Sequence, residues 1–244
     1  MKISLILPVF NEVENLKLLI PMIENTLSSL VDDYEVIIVD DNSNDGTDNL
    51  IKNIYSNRLV LIERNGANSL PLSILDGIKA SKYEHILWMD ADGSMPVEEL
   101  SNLISKKEQN PDSVIIGSRF VEGGGYKGQD VNRKLNFFEM FFKIFNSEDS
   151  FVAIYLSIIF NKILKLLINS DINDLTSGFF LGEKKYINYN IFTKAIYGDY
   201  FIYLMTDLII KNIKVIEVGY FCKPRLKGKS KTSTNIIKLF SLSY

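Results

Sequence analysis

Five apolar runs alternate with amphipathic ones across the first half of the chain, and this alternation is what most restricts its fold. The runs are "ISLILPVF" (3–10), "YEVIIVDD" (34–41), "RLVLIER" (58–64), "HILWMDAD" (85–92) and "SVIIGSRF" (113–120). Each is too short for a buried helix and lacks the in-out alternation of a strand with one wet face, so each is expected to be a strand buried on both faces. Between the first two, "NEVENLKLLIPMIENTLSSL" (11–30) carries apolar residues at 16, 19, 20, 23, 27 and 30, a helical spacing with Asn11 as the expected N-cap. Further helices are expected from Ser43 or Asp45 as caps, over 71–82, and over 96–109 with Pro96 in the first turn. Strands of this kind separated by helices give a mostly parallel sheet covered on both faces, an α/β architecture.

Sheets of that class bind ligands at the carboxyl ends of their strands. Polar clusters stand at those ends here: Asn11-Glu12, Asp40-Asp41, Asp90-Ala91-Asp92 and Ser118-Arg119. Two aspartates one position apart bring like charges together, which raises one pKa unless a cation intervenes. Mg²⁺ or Mn²⁺ favours hard oxygen ligands, typically one or two carboxylates completed by substrate phosphates. Asp90 and Asp92, followed by Gly93, are therefore a candidate metal–diphosphate site. Asp41 suits a base N–H or a ribose hydroxyl.

Past Phe120 the character changes. A glycine-rich loop (121–130) leads to two aromatic and aliphatic segments of helical spacing, 135–145 and 150–168. "DLTSGFFLGEKK" (174–185) reads as a turn and a short strand, 199–212 as a helix and 213–221 as a late strand. The net charge of −3 gives no global attraction to nucleic acid. Positive charge is instead concentrated near the end: residues 211, 214, 223, 225, 227, 229, 231 and 238 are Lys or Arg, against the single acid Glu217, which points to an anionic partner. A lone cysteine, Cys222, excludes an internal disulfide. The amino-terminal apolar run is short and leads into Asn11-Glu12, unlike a signal peptide. No charge-free run reaches the roughly 18 to 20 residues of a membrane span, so no spanning helix is expected.

"LPVFNEVENL", "VIIVDDNSNDGT", "WMDADGSMPVEEL", "GSRF", "DLTSGF" and "RLKGKSK" follow one another in that order. Together they resemble the inverting family 2 glycosyltransferases of GT-A fold. More narrowly they resemble the dolichyl-phosphate mannose synthase branch, which moves a hexose from a nucleotide sugar to a polyprenyl phosphate. The likeness covers about residues 3–135 and 170–235. By matching position it implies that Pro8, Phe10 and Glu12 cradle the nucleoside, with Val39 and Asp41 completing the base and ribose pocket. It implies that Asp90 and Asp92, with the Ala91 backbone nearby, hold Mg²⁺ or Mn²⁺ on the diphosphate. Arg119 is then expected near the sugar diphosphate, and Arg225, Lys229, Ser230 and Lys231 at phosphate. The catalytic set so implied is Asp92, Arg119, Asp174, Arg225 and Lys231, with Asp174 either orienting acceptor or sugar or capping a turn. Such a protein works at a membrane surface on its cytoplasmic face, with a nucleotide-diphosphate sugar and a polyprenyl phosphate as partners and no nucleic acid.

The nucleophile in that reaction is an ionised phosphate oxygen, so no strong general base is demanded. This suits a chain whose one histidine, His85, opens a strand, and in which neither Ser177 nor Cys222 has a visible base partner. Two alternatives stand beside this reading: a family 2 enzyme with a saccharide or cell-surface glycan acceptor, and a non-catalytic nucleotide-sugar-binding subunit. The expected layout is a glycosyltransferase domain over 1–235, with an apolar helical insertion at about 137–158, and a short apolar tail at 236–244. The insertion suits a membrane interface or, equally, a hairpin packed on the body or in a dimer. Leu204 stands where the family often has an acid, and "DADGSMP" departs from the commoner "DADLSHP".

Overall fold

The computed structural model describes residues 1–126 and 150–227, with side chains of the second segment from Leu156 onward. The expected 135–145 helix, most of the 137–158 insertion, the 236–244 tail, and Lys229, Ser230 and Lys231 lie outside the described residues.

The amino-terminal half follows the expected order: β1 (Lys2–Val9), α1 (Val13–Leu30), β2 (Asp33–Asp40), α2 (Thr47–Asn53), β3 (Leu59–Glu63), α3 (Leu70–Ala80), β4 (His85–Trp88), α4 (Leu100–Gln109) and β5 (Val114–Ser118). Then come β6 (Gly125–Tyr126), α5 (Ser150–Ile168), β7 (Phe180–Glu183), α6 (Tyr189–Lys194), α7 (Asp199–Ile210), β8 (Val215–Gly219) and β9 (Phe221–Cys222). The main sheet runs β3-β2-β1-β4-β7-β5-β8, and β6 pairs with β9 in a small second sheet. All neighbours in the main sheet are parallel except β7, which is antiparallel to both β4 and β5. The strand order reverses direction about β1, with β2 on one side and β4 on the other, the place at whose carboxyl ends sheets of this class take a ligand.

Strand pleating divides the core between two layers. Leu5 and Leu7 of β1 join Leu16, Leu19, Ile20, Ile23 and Leu27 of α1, and Leu100, Leu103 and Ile104 of α4, on one face. Ile6, between them, joins Ile74 and Ile78 of α3 and Phe201, Leu204 and Leu208 of α7 on the other. Trp88 closes that second layer at the end of β4, stacked on Phe180 of β7 at a 4.0 Å centroid distance. Leu204, where an acid was anticipated, is wholly buried in this layer.

Capping of α1 departs from the sequence expectation. The helix begins at Val13, and Asn11 adopts a left-handed conformation (φ 54°). The Val13 N–H is accepted by Asp45 Oδ2 at 2.9 Å, from a loop 32 residues on. The other oxygen of Asp45 accepts from the Thr47 N–H (3.1 Å) and hydroxyl (2.6 Å), so one carboxylate caps both α1 and α2. Ser43 accepts from the Asn11 N–H (2.8 Å) and caps neither helix, while Asn11 Oδ1 accepts from Asn44. These bonds lock together the loops after β1 and β2, at the carboxyl ends of neighbouring strands.

Candidate active site

β4 hands the chain to an acidic tip. Ser94 donates its N–H to Asp92 Oδ1 at 2.8 Å, and Gly93 takes a left-handed conformation (φ +79°), so the chain turns back sharply after the second aspartate. A Cβ on Gly93 would lie 2.5 Å from Leu226 Cγ, which shows how closely the carboxy-terminal basic segment covers this turn. Gly93→Ala is accordingly expected to weaken nucleotide binding while leaving a folded protein, by forcing a strained φ at the tip; calorimetric titration with UDP and GDP checks it.

Asp92 is buried and Asp90 half-buried. Among the described residues neither oxygen of Asp90 accepts a hydrogen bond, whereas Asp92 Oδ2 is 3.1 Å from Arg225 Nη2. Burial, and after it the Asp92 carboxylate, push the Asp90 pKa up to about 7, against the pull of Arg225 and Arg119. A half-buried carboxylate with no donor of its own, two residues from a second carboxylate, fits a hard divalent cation. No group of three or more His, Cys, Asp or Glu side chains among the described residues is arranged to hold a metal unaided. A cation held by Asp90 and Asp92 would thus take its remaining oxygens from a bound diphosphate and water.

The sign of the pH effect follows. Between the ordinary carboxylate pKa and about 7 the native protein binds the Asp90 proton that the unfolded chain has released, so this group's contribution to stability declines as pH rises through that window. Cation binding must expel the proton, so Mn²⁺ affinity is expected to rise between pH 6 and 8, steeply below pH 7 and flattening above it. Asp90→Asn should remove both trends and raise the melting temperature of the metal-free protein at pH 8, which thermal unfolding with and without Mn²⁺ checks.

Of the nucleoside set, Pro8 near the end of β1 and Phe10 and Glu12 just after it are partly exposed. Glu12 Oε1 lies 3.1 Å from Arg225 Nη1, and its Oε2 accepts from Asn15 Nδ2 at 2.5 Å. Asp41 is buried and already partnered: it pairs with Arg64 and accepts the Ser69 N–H at 2.6 Å. Arg64 in turn reaches Asp76 through Nε at 3.0 Å and Ser73 at 3.2 Å. Asp41 is therefore held in an ion pair with Arg64, a residue that sequence reasoning did not single out. Its only signal was its place at the carboxyl end of the third strand. Val39, expected beside Asp41, lies two residues before it, near the end of β2. It is wholly buried in the layer under α3, because the β2 register turns its side chain away from the rim. Ala91 is also buried, leaving its backbone as the part near the tip.

Arg119 and Asp174 form a different unit. Asp174 is fully buried and accepts the Arg119 backbone N–H (2.9 Å), Nε (2.8 Å) and Nη2 (2.7 Å). Burial alone would lower the Arg119 pKa, but the Asp174 charge and hydrogen bonds outweigh it and raise it well above the ordinary value. The turn holding Asp174 is braced by Glu217, which accepts the backbone N–H groups of Asn173 (2.8 Å) and Asp174 (2.9 Å). Asn161 of α5 also braces it, donating to Thr176 Oγ1 (2.8 Å) and accepting the Leu175 N–H (2.8 Å). Asp174 thus holds Arg119 and has no surface of its own for an acceptor or sugar. Arg119 Nη1 donates to no protein acceptor among the described residues, and the guanidinium lies over the Phe120 ring at 5.3 Å. Burial pushes the Cys222 thiol up to about 11, which leaves it a poor nucleophile near neutral pH.

The model of glycosyl transferase family 2 matches residues 4–189. Among curated proteins, the chain is 36% identical over 136 residues to a dolichol-phosphate mannosyltransferase of Pyrococcus furiosus, covering 55% of this chain and 38% of that protein. It is 37% identical over 129 residues to the poly(ribitol-phosphate) β-N-acetylglucosaminyltransferase TarP of Staphylococcus aureus, covering 51% of this chain and 38% of that protein. These matches span well under half the length of either relative. Among solved structures, glucosyl-3-phosphoglycerate synthase of Mycobacterium tuberculosis with Mn²⁺, UDP and phosphoglyceric acid superposes with a TM-score of 0.60 at 14% identity, over 96% of this chain and 72% of that one. The same enzyme with Mn²⁺, UDP-glucose and glycerol 3-phosphate gives 0.60 at 13% identity, over 96% and 74%.

Proposed function

The chain belongs to glycosyl transferase family 2, and from that premise we propose that it transfers a hexose from a nucleotide-diphosphate sugar to a polyprenyl phosphate, with inversion and with a divalent cation. Its fold is the GT-A fold, and the acidic tip of β4 stands at the switch point where such sheets take their ligand.

The observation that carries the choice of acceptor is the burial of Asp174 beneath Arg119. A hydroxyl acceptor needs a base to remove its proton. Asp174, the acid that a hydroxyl acceptor would need as base, has its carboxylate engaged by three Arg119 donors. A phosphate oxygen needs no such base. The dolichol-phosphate mannosyltransferase relative supports the same acceptor class.

In this reading Asp90 and Asp92 hold Mg²⁺ or Mn²⁺, which when bound supplies Lewis-acid neutralisation of the departing diphosphate. Arg225, 3.1 Å from Asp92 at the tip, is placed to meet those phosphates, and Arg119 presents Nη1 to the second anion, the acceptor. The Asp41–Arg64 pair receives the base. Lys229, Ser230 and Lys231 extend the cationic run toward phosphate.

The lipid acceptor also gives α5 a role. Leu156, Phe160, Ile163 and Leu167 recur at helical spacing and, with Leu166, are exposed beside Lys162. That exposed apolar stripe suits α5 to lie on a membrane surface, at its cytoplasmic face; no helix among the described residues is long and apolar enough to cross one. Phe160→Glu combined with Leu167→Glu should lower recovery on anionic lipid vesicles about tenfold and leave nucleotide affinity unchanged. Flotation and calorimetry check the two halves, and equal flotation removes α5 from the membrane reading.

A second reading is favoured by the TarP relative, a poly(ribitol-phosphate) β-N-acetylglucosaminyltransferase. The deciding experiment is transfer from radiolabelled UDP- and GDP-hexoses with Mn²⁺, polyprenyl phosphate and soluble glycans offered together. Label in the organic phase supports the lipid acceptor. Label confined to soluble glycan replaces it with the second reading, and nucleotide binding without transfer makes the chain a binding subunit.

A further inference from the structure

The segment after β8 is a strap across the acidic tip. It leaves the sheet beside β5, where the Tyr220 N–H is accepted by Ser118 O at 2.9 Å. It then lies along the turn after β4, with the Lys223 N–H on Ser94 O (2.9 Å) and the Leu226 N–H on Asp92 O (3.0 Å). Lys223 Nζ pairs with Glu98 at 3.3 Å, the Leu226 side chain packs over Gly93, and Lys227 O accepts from Asn15 Nδ2 of α1 at 3.3 Å. The strap is thus fixed on both sides of Arg225, and its guanidinium spans two acids: Nη1 to Glu12 (3.1 Å) and Nη2 to Asp92 Oδ2 (3.1 Å).

This geometry sets two cations against one carboxylate. Asp92 Oδ1 is engaged by the Ser94 N–H and Oδ2 by Arg225, so a divalent ion can use Asp92 fully only if Arg225 lets go. We propose that Arg225 is a built-in counter-ion that competes with the divalent cation for Asp92, and that a nucleoside diphosphate opens the site by giving Arg225 a phosphate in exchange. The proposal rests on the reading of Asp90 and Asp92 as cation ligands. Its consequence is coupling. Free cation binds poorly because it must displace Arg225, and diphosphate and cation each improve the other's affinity by one shared factor. The strap then selects the cation–diphosphate pair over either ion alone.

The test is Mn²⁺ binding to nucleotide-free protein, read from the electron paramagnetic resonance signal of free Mn²⁺. A charge-assisted hydrogen bond removed from a competitor corresponds to roughly tenfold in affinity, so Arg225→Gln is expected to bind Mn²⁺ about tenfold more tightly than wild type. With saturating UDP or GDP, whichever binds, that advantage should vanish or reverse. If the Gln variant does not fold, Arg225→Lys, which keeps the charge but lacks the fork joining Glu12 to Asp92, should tighten Mn²⁺ binding about threefold. Equal or weaker binding in the folded variant, including no binding in either protein, overturns the exchange. Asp92→Asn separates the two ideas. If it binds Mn²⁺ like wild type, the cation site itself is misassigned; if it loses Mn²⁺ while Arg225→Gln gains nothing, only the exchange fails.

Discussion

Asp92→Asn is expected to lower hexose transfer by about three orders of magnitude at saturating Mn²⁺. The amide matches the carboxylate in shape and keeps an oxygen to accept the Ser94 N–H, so the turn at Gly93 should survive. What it loses is charge, and two partners depend on that charge. One is the cation, which would be left with a single carboxylate, Asp90. The other is Arg225, whose pairing would fall to Glu12 alone. Because the side chain is almost wholly buried, solvent cannot replace the missing field. The effect should therefore appear in kcat as well as in kcat/KM and not be rescued by more nucleotide sugar. Rates from the organic-phase assay, beside a thermal unfolding curve showing an intact fold, make the measurement. A variant turning over within tenfold of wild type would remove the acidic tip from the chemistry.

Much of this site could be read from the chain because it is built from local patterns. The apolar runs at 3–10, 34–41 and 85–92 had to be strands, and the acids at their carboxyl ends had to share a rim once the strands were parallel. What escaped depends on contacts between distant segments. Nothing local says that β7 enters the sheet between β4 and β5 and runs against both. Asn11 has the chemistry of a cap, but the loop after β2 delivers Asp45 to the same N–H, and Asn11 is turned into a left-handed bend. Val39 and Asp41 stand two apart, on a strand whose alternation sends Val39 into the core; Asp41 follows the last strand residue, where the loop is free to turn it toward Arg64. The basic run at 223–231 was visible as charge, yet only the fold shows that Arg225 rests on Glu12 and Asp92.

Asp174→Leu alone is expected to be among the most destabilising single changes in the protein, at about 3–5 kcal/mol. The reason is asymmetry. Asp174 is fully buried and Arg119 only slightly exposed, so removing the acid strands a guanidinium whose Nε and Nη2 were matched to it. Thr176 remains as a partner for Nη2 at 3.0 Å, but a hydroxyl cannot balance a full charge. At roughly 2–4 °C per kcal/mol for a chain of this size, the melting temperature should fall by about 6–20 °C. Arg119→Met is expected to cost a similar amount, by stranding the acid. Joined in one protein, the two substitutions leave no unpaired charge, and replacing a buried pair by apolar groups is often close to neutral. The double variant should therefore recover most of the lost stability. It should not recover activity, because the guanidinium that would face the anionic acceptor is gone. Stability restored without transfer would separate the two roles of Arg119, as partner of Asp174 and as ligand of the acceptor. Transfer restored along with stability would reduce the pair to scaffold, and the acceptor phosphate would then have to be held by the cations of the 223–231 segment alone.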